Sequence, residues 1–501
     1  MLINSPNGSP RQGTFVCTGF TNRLVQAGGF RKGPAERVIL RYEVPIDRHC
    51  RDCIMGARDL RLKRFDNLGA AKMALTSRQR VQTALSHQQP DYVPLDLGGS
   101  PVTGMHVSSV YLLRQALGLD PPGTPVKVVE PYQMLGEIDE RLQAALGVDV
   151  VPLGRRKNMF GFENKDWKPW QLWDGTPVLV PGDFNTEPEP NGDLLMYPEG
   201  DKSAPPSGRM PKNGFYFDTI IRQDPIDEEK LNPEDNLEEF KPIDDDELQW
   251  LATEADRLYR ETDKAILANF GGTAFGDIAL VPAPFLKHPK GIRDVAEWYM
   301  STVTRFDYVW KVFERQCEIG IANLKRIYEA VGDRVTAVFI TGTDFGQQHG
   351  PFISPQTYRR LFKPFHQRVN AWVHENTPWK TFIHSCGSVV AFLDDFIEAG
   401  FDILNPVQCS AAGMDPRMLK ERYGDRLVFW GGGVDTQKTL PFGTPDDVRR
   451  EVRERIEIFG RGGGFVFNTV HNVQARVPVE NLLALYETVN QCRGLPFPVT
   501  R

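Results

Sequence analysis

The residues best suited to chemistry lie in one short stretch, Thr381-Phe382-Ile383-His384-Ser385-Cys386-Gly387. An apolar run leads into a histidine, a serine and a cysteine and stops at a glycine. That is the pattern of a buried strand ending in a turn. Side chains alternate along a strand, so His384 and Cys386 leave on one side and Ser385 on the other. An imidazole and a soft sulfur on one side of a strand end make half of a zinc site. The plainer alternative is a satisfied polar pair in a strand–loop corner.

The elements that must hold this stretch repeat along the chain. Short apolar runs occur at 91–97, 148–153, 265–270, 337–341, 380–384, 402–405, 427–430 and 464–468. Helical patterns separate them, among them Val110–Leu117, Tyr132–Leu146, Trp250–Thr262 and one or two long helices over Val295–Ala330. Ser354-Pro355 and Thr444-Pro445 each read as an N-cap followed by proline at the first helical position. Eight strands with helical crossovers are the arithmetic of a closed parallel barrel, so the expected fold class is α/β, a (β/α)8 TIM barrel. A doubly wound open sheet is the alternative. It would normally carry a glycine-rich dinucleotide turn, and Gly460–Gly464 precedes a strand rather than a helix. Residues 160–225 are rich in Trp, Pro, Gly and Asp, with hairpin signals at Asp174-Gly175 and Asn191-Gly192. They read as an inserted antiparallel β flap. Glu228–Glu239 and Asp244–Glu247 read as solvated acidic surface.

Chemistry in such a barrel gathers where strands run into their following loops. Those positions yield Asp96, Asn269, Asp344, Gln347, His384, Cys386, Asn405, Gln408, Cys409, Asp435, Gln437, Asn468, His471 and Asn472.

The chain has 501 residues, 41% hydrophobic and 25% charged, which is ordinary globular composition. A net charge of −6 gives no reason to expect nucleic acid. No apolar run approaches the roughly 18–20 residues of a membrane helix, so no membrane partner is expected. The N-terminus shows no apolar secretory segment, and the seven scattered cysteines suit a reducing cytoplasm. Residues 1–72 differ: they carry 13 Lys/Arg against 6 Asp/Glu and lack sustained periodicity. They are expected to form a basic tail outside the fold, which would occupy 73–501. Their Cys50-Arg51-Asp52-Cys53 has no second ligand pair at finger spacing.

Residues 76–495 resemble the uroporphyrinogen decarboxylase superfamily. The matching pieces are Thr76–Leu85 with Pro90–Pro94, Ile353-Ser354-Pro355, and His384–Gly387. They continue with Gly433–Gln437 and Gly443–Pro445, then Val470–Asn472 and Pro478–Asn481. The resemblance implies a (β/α)8 barrel, in line with the strand count. Two activities dominate the superfamily. Cofactor-free decarboxylation of a tetrapyrrole uses arginines near the N-terminus, in a pattern like Arg-Gln-Ala-Gly-Arg, and the corresponding turn here, Asp96–Thr103, has none. The other is methyl transfer to or from a corrinoid, as in the methylcobamide:coenzyme M methyltransferases. This chain resembles them at His-x-Cys-Gly, where the pair binds zinc.

Their third ligand is a cysteine near the end of the last strand, where this chain has His471. The resemblance therefore implies a zinc set of His384, Cys386 and His471 with an open fourth position, Cys409 standing as a reserve third ligand. Asp344 and Asp435 become the catalytic candidates, to orient or protonate, though either could instead cap the turn that follows it. Asn269, Gln347, Asn405, Gln437 and Asn472 become candidate substrate contacts. The chain lacks an Asp-x-His-x-x-Gly cobalamin motif, so a corrinoid would arrive on a separate protein docking over the barrel mouth. The expected function is a cytoplasmic methyltransferase moving a methyl group between a small substrate or thiol and a corrinoid protein. A metal-independent decarboxylase acting on a tetrapyrrole or other carboxylated substrate is the alternative.

Overall fold

The structure is a computed structural model, and it describes residues 74–499. The expectations for residues 1–72, their Cys50/Cys53 pair included, lie outside the described residues.

Seven parallel strands form one sheet in chain order. They are β1 (Val150–Gly154), β2 (Ala265–Asn269), β3 (Ala337–Thr341), β4 (Lys380–His384), β5 (Ile403–Asn405), β6 (Val428–Trp430) and β7 (Phe465–Val466). Except at Pro152 and Gly154 of β1, both faces of these strands are buried, which is why they read as continuous apolar runs rather than as alternation. Inward-pointing Val150, Ala265, Leu267, Ala337, Phe339, Phe382, Ile403, Val428, Trp430 and Val466 pack into one cluster. Outward-pointing Ile266, Val338, Ile340, Ile383, Leu404, Phe429 and Phe465 join the larger core under the helices. Residues 94–96 bond to both edges of the sheet. The Asp149 N–H donates to the Leu95 carbonyl, the Phe467 N–H to Pro94 and the Asp96 N–H to Phe467, each at 2.8 Å.

Helix α1 (Ser77–Leu85) opens on a capping box between Thr76 and Gln79. Its Val81 and Leu85 belong to the inner cluster, so α1 plugs the N-terminal end of the curled sheet. Arg80 fixes it there, donating to Asp91 and to the buried Asp149, each at 2.7 Å. Arg493, from the last helix (Val479–Arg493), donates to the other oxygen of Asp149 at 2.7 Å.

Two readings of the sequence need correction, and a third is narrowed. The helix expected over 132–146 starts only at Glu140, with Asp139 as its N-cap. Before it run two strands, Val126–Glu130 and Leu135–Gly136. Glu130 accepts the N–H groups of Tyr132 and Gln133, which diverts the backbone from a helical turn. The segment over 295–330 is two helices, Val295–Thr304, here α2, and Phe306–Val331, broken at Arg305. The acidic stretches are not all solvated surface: Glu239 pairs with the fully buried Arg293 at 2.9 Å, and Glu247 is 4% exposed. A buried guanidinium needs such partners.

Within 160–225, Lys168–Gln171 and Pro177–Val180 form a hairpin turning at Asp174-Gly175. Thr186–Pro188, Leu194–Met196, Gly208–Met210 and Asp218–Thr219 form a four-stranded antiparallel sheet. Among the described residues no helix is long and apolar enough to cross a membrane.

Candidate functional site

Strand alternation sends His384 and Asn405 toward the same inner face as the apolar cluster below them, one residue pair nearer the C-terminal end. His384 is 4% exposed and Asn405 is fully buried. The Asn405 amide donates to the Trp430 carbonyl at 2.8 Å, which turns its Oδ1 toward His384. His384 Nδ1 meets that oxygen at 2.6 Å. Since Oδ1 can only accept, Nδ1 carries the proton and Nε2 presents its lone pair. Cys386 Sγ stands 3.4 Å from that Nε2. The His471 ring lies across it, with centroids 5.3 Å apart at 72°.

One ligand atom from each of His384, Cys386 and His471 falls within 4.8 Å of the others. Zinc bonds of about 2.0–2.3 Å set tetrahedrally would place ligand atoms ~3.3–3.8 Å apart. The Cys386–His384 separation already lies there, and the third ligand needs only a small adjustment. The donor set, two imidazoles and one sulfur, suits zinc.

The turn holding Cys386 is clamped from both sides. Its N–H donates to Asp344 Oδ1 at 2.7 Å, and Ser385, pointing the other way, accepts the Phe345 N–H at 2.9 Å. Gly387 follows at φ +83°, and a Cβ there would lie 2.6 Å from the backbone of Gly346. Only glycine lets the two turns approach so closely.

Burial dominates the electrostatics. It pushes the His471 imidazole down to about 3, with His384 adding to the effect, so the ring stays neutral. His384 is lowered by the same cause, partly offset by Asp344 and Asn405. The Cys386 thiol is driven well above its ordinary value, first by burial and then by the Asp344 charge. The neutral imidazoles are ready to ligate, and the thiol lacks a positive partner.

The structure brings together part of the set read from sequence. His384, Cys386 and His471 converge, and Asp344 touches Cys386. Cys409 stands outside this cluster. Burial lifts its thiol to about 12, and the charges it feels come from Arg455, Glu451, Asp415 and Asp435. Asp435 also lies outside: its Oδ1 accepts the N–H groups of Gln437 and Lys438 at 2.7 and 2.8 Å. It caps its turn, the alternative open to it in the sequence. Asn405 is a positioning residue rather than a substrate contact, because both ends of its amide are used. Asn472 is fully buried and bonded to Pro101 and Gln133, each at 2.8 Å, so it braces the loop behind His471. Gln347 and Gln437 are exposed. Asn269 lines a cavity of about 1280 Å³ beside the mouth.

Sequence reasoning missed Asp277, Tyr299 and Glu130. Asp277 lies in the long loop after β2, its Oδ2 2.5 Å from where a Cβ on Gly342 would stand. Burial and the nearby Asp344 push it up to about 7. Tyr299, on α2, donates to the Asp344 carbonyl at 2.6 Å. Both reach the site through packing of distant elements, which leaves no local pattern.

Comparison with known proteins follows the same lines. The family model described as Uroporphyrinogen decarboxylase (URO-D) matches residues 218–492, more than half of the chain. A uroporphyrinogen decarboxylase from Psychromonas ingrahamii is 33% identical over 95 residues, 18% of this chain and 26% of that one. Another, from Geotalea daltonii, is 24% identical over 238 residues, 47% of this chain and 62% of that one. The chain thus spans between about a quarter and somewhat under two thirds of the length of these curated relatives. A solved structure, a methyltransferase from Methanosarcina mazei, aligns with a TM-score of 0.46 at 17% identity, over 83% of this chain and 99% of that chain.

Proposed function

The chain belongs to the uroporphyrinogen decarboxylase family, and within it we propose that the protein is a methyltransferase, moving a methyl group between a small substrate or thiol and a corrinoid carried by a separate protein. The observation that carries this reading is the convergence of His384, Cys386 and His471 within 4.8 Å. Those three residues would hold a zinc ion. Bound there, zinc supplies Lewis acidity that keeps a coordinated thiol deprotonated at neutral pH or polarises a leaving oxygen. The remaining work falls to the chain. Asn405 orients His384, Asp344 holds the Cys386 turn, and the half-buried Asp277 beside Asp344 is the group placed to exchange a proton with substrate. The bonds of residues 94–96 to both sheet edges support a closed (β/α)8 barrel, and the antiparallel strands of 168–219 support an inserted flap over it.

Zinc content of the purified full chain tests the reading. About one zinc per chain is expected, falling sharply in Cys386→Ser and His471→Ala. Zinc content unchanged in both variants, or absent from the wild type grown with zinc, removes it.

The names of the curated relatives favour a second reading, a metal-independent decarboxylase of a tetrapyrrole. A polycarboxylate substrate needs cations at the mouth. The turn 97–102 carries none, and the half-exposed Arg155 is drawn to Glu247 at 3.5 Å. Carbon dioxide release from uroporphyrinogen after exhaustive chelation would favour this second reading over the first.

A further inference from the structure

We propose that the large cavity beside the barrel mouth binds a small molecule through a cationic, ammonium-type group seated against the carboxylate of Glu130. The cavity holds about 1280 Å³, and Ser100, Glu130, Arg155, Asn158 and Asn269 are among its walls. Glu130 ends the strand Val126–Glu130 and is 8% exposed. Its oxygens accept the backbone N–H groups of Tyr132 and Gln133 at 3.0 and 2.8 Å. No ion pair of Glu130 forms among the described residues. Three cations of the lining are engaged elsewhere: Lys127 with Glu137 at 3.3 Å, Arg155 with Glu247 at 3.5 Å, Arg257 with Glu254 at 2.6 Å.

A neutral side chain would cap those two N–H groups without burying a charge. A carboxylate in the same place is costly unless a cation completes it. Burial accordingly lifts Glu130 to about 7. Tyr132 on its own turn is the titratable group that feels its charge, and Asp218 and Asp277 act on that same phenol; Lys127 lies on the opposite face of the strand. Lys127 is itself neutralised by Glu137. An arriving ammonium would pair with the carboxylate and displace its proton. A neutral or anionic ligand would do neither. The anchor is also one link from the cluster. Gln133, which Glu130 holds, bonds Asn472 at 2.8 Å, and Asn472 follows His471. The inference stands on the cavity and does not rest on a metal at His384.

Calorimetric titration of the full chain tests it, with choline and methylammonium as probes beside the uncharged carbon isostere of choline. At least one ammonium probe is expected to bind, about tenfold or more tighter than the isostere, and Glu130→Gln should lose about tenfold or more. Repeating the titration in buffers of different protonation enthalpy should show proton release that Glu130→Gln abolishes. Equal binding of charged and uncharged probes, an unaffected variant, or no binding of either ammonium overturns the proposal. Should the variant fail to fold, wild-type binding without proton release overturns it equally. Zinc measured on the same samples separates this outcome from the fate of the metal reading.

Discussion

Asn405 decides what His384 can be. With its amide oxygen on Nδ1, the imidazole has one tautomer and one orientation, and Nε2 faces Cys386. Partners of this kind commonly set metal affinity over one or two orders of magnitude. Asn405→Ala is therefore expected to weaken zinc about 10–100-fold, read by competition with a chromophoric chelator under conditions where the variant is folded. Retained affinity would show that ring orientation comes from packing alone. Asp96 makes a second residue-scale case. It is 1% exposed and accepts from Trp430 at 2.8 Å, and burial lifts it from the ordinary 3.8 to about 6. A carboxyl raised on folding favours the folded state at low pH, and that contribution is lost as pH rises from 3.8 through about 6. It amounts to at most about 3 kcal/mol. The stability difference between wild type and Asp96→Asn should therefore tilt against the wild type across that window and level off above it, as urea unfolding at a series of pH values would show.

At the scale of elements, the staves of the sheet were the legible part. β3 and β4 are read to the residue because both of their faces are buried and the apolar run begins and ends with the strand. Val126–Glu130 and the late start of the helix at Glu140 were not legible. Met134, Leu135, Ile138 and Leu142 have helical spacing, yet the Glu130 carboxyl and the Asp139 cap claim the backbone first. The site divides in the same way. His384 and Cys386 follow from alternation along one strand, whereas His471 follows another strand, and its pairing with them came from family resemblance. Asp277, Tyr299 and Glu130 arrive from a loop, a helix and a side strand whose approach depends on tertiary packing. Two expectations belong to this scale. Thr76→Ala should cost about 1 kcal/mol by removing the α1 cap. Leu85→Ala should cost about 2–5 kcal/mol, because a buried side chain in the barrel floor leaves a cavity. Denaturant midpoints would check both, and equal effects would mean that the plug contributes no more than the cap.

For the whole molecule, the proposed metal would be linked to the fold. A ligand that binds only the folded chain raises its stability with concentration. The melting temperature should rise with added zinc and fall with a chelator, by several degrees where zinc exceeds its dissociation constant about a hundredfold. Cys386→Ser should lose this response while melting close to the untreated wild type. A response that survives the substitution would place the bound ion elsewhere.

Helix α1 has a bearing on traffic. Val81 and Leu85 stopper the N-terminal end of the curled sheet, so on the methyl-transfer reading proposed above the small molecule and the carrier protein would both have to come to its other end. On that reading their visits would alternate, and a surplus of either visitor should inhibit entry of the other.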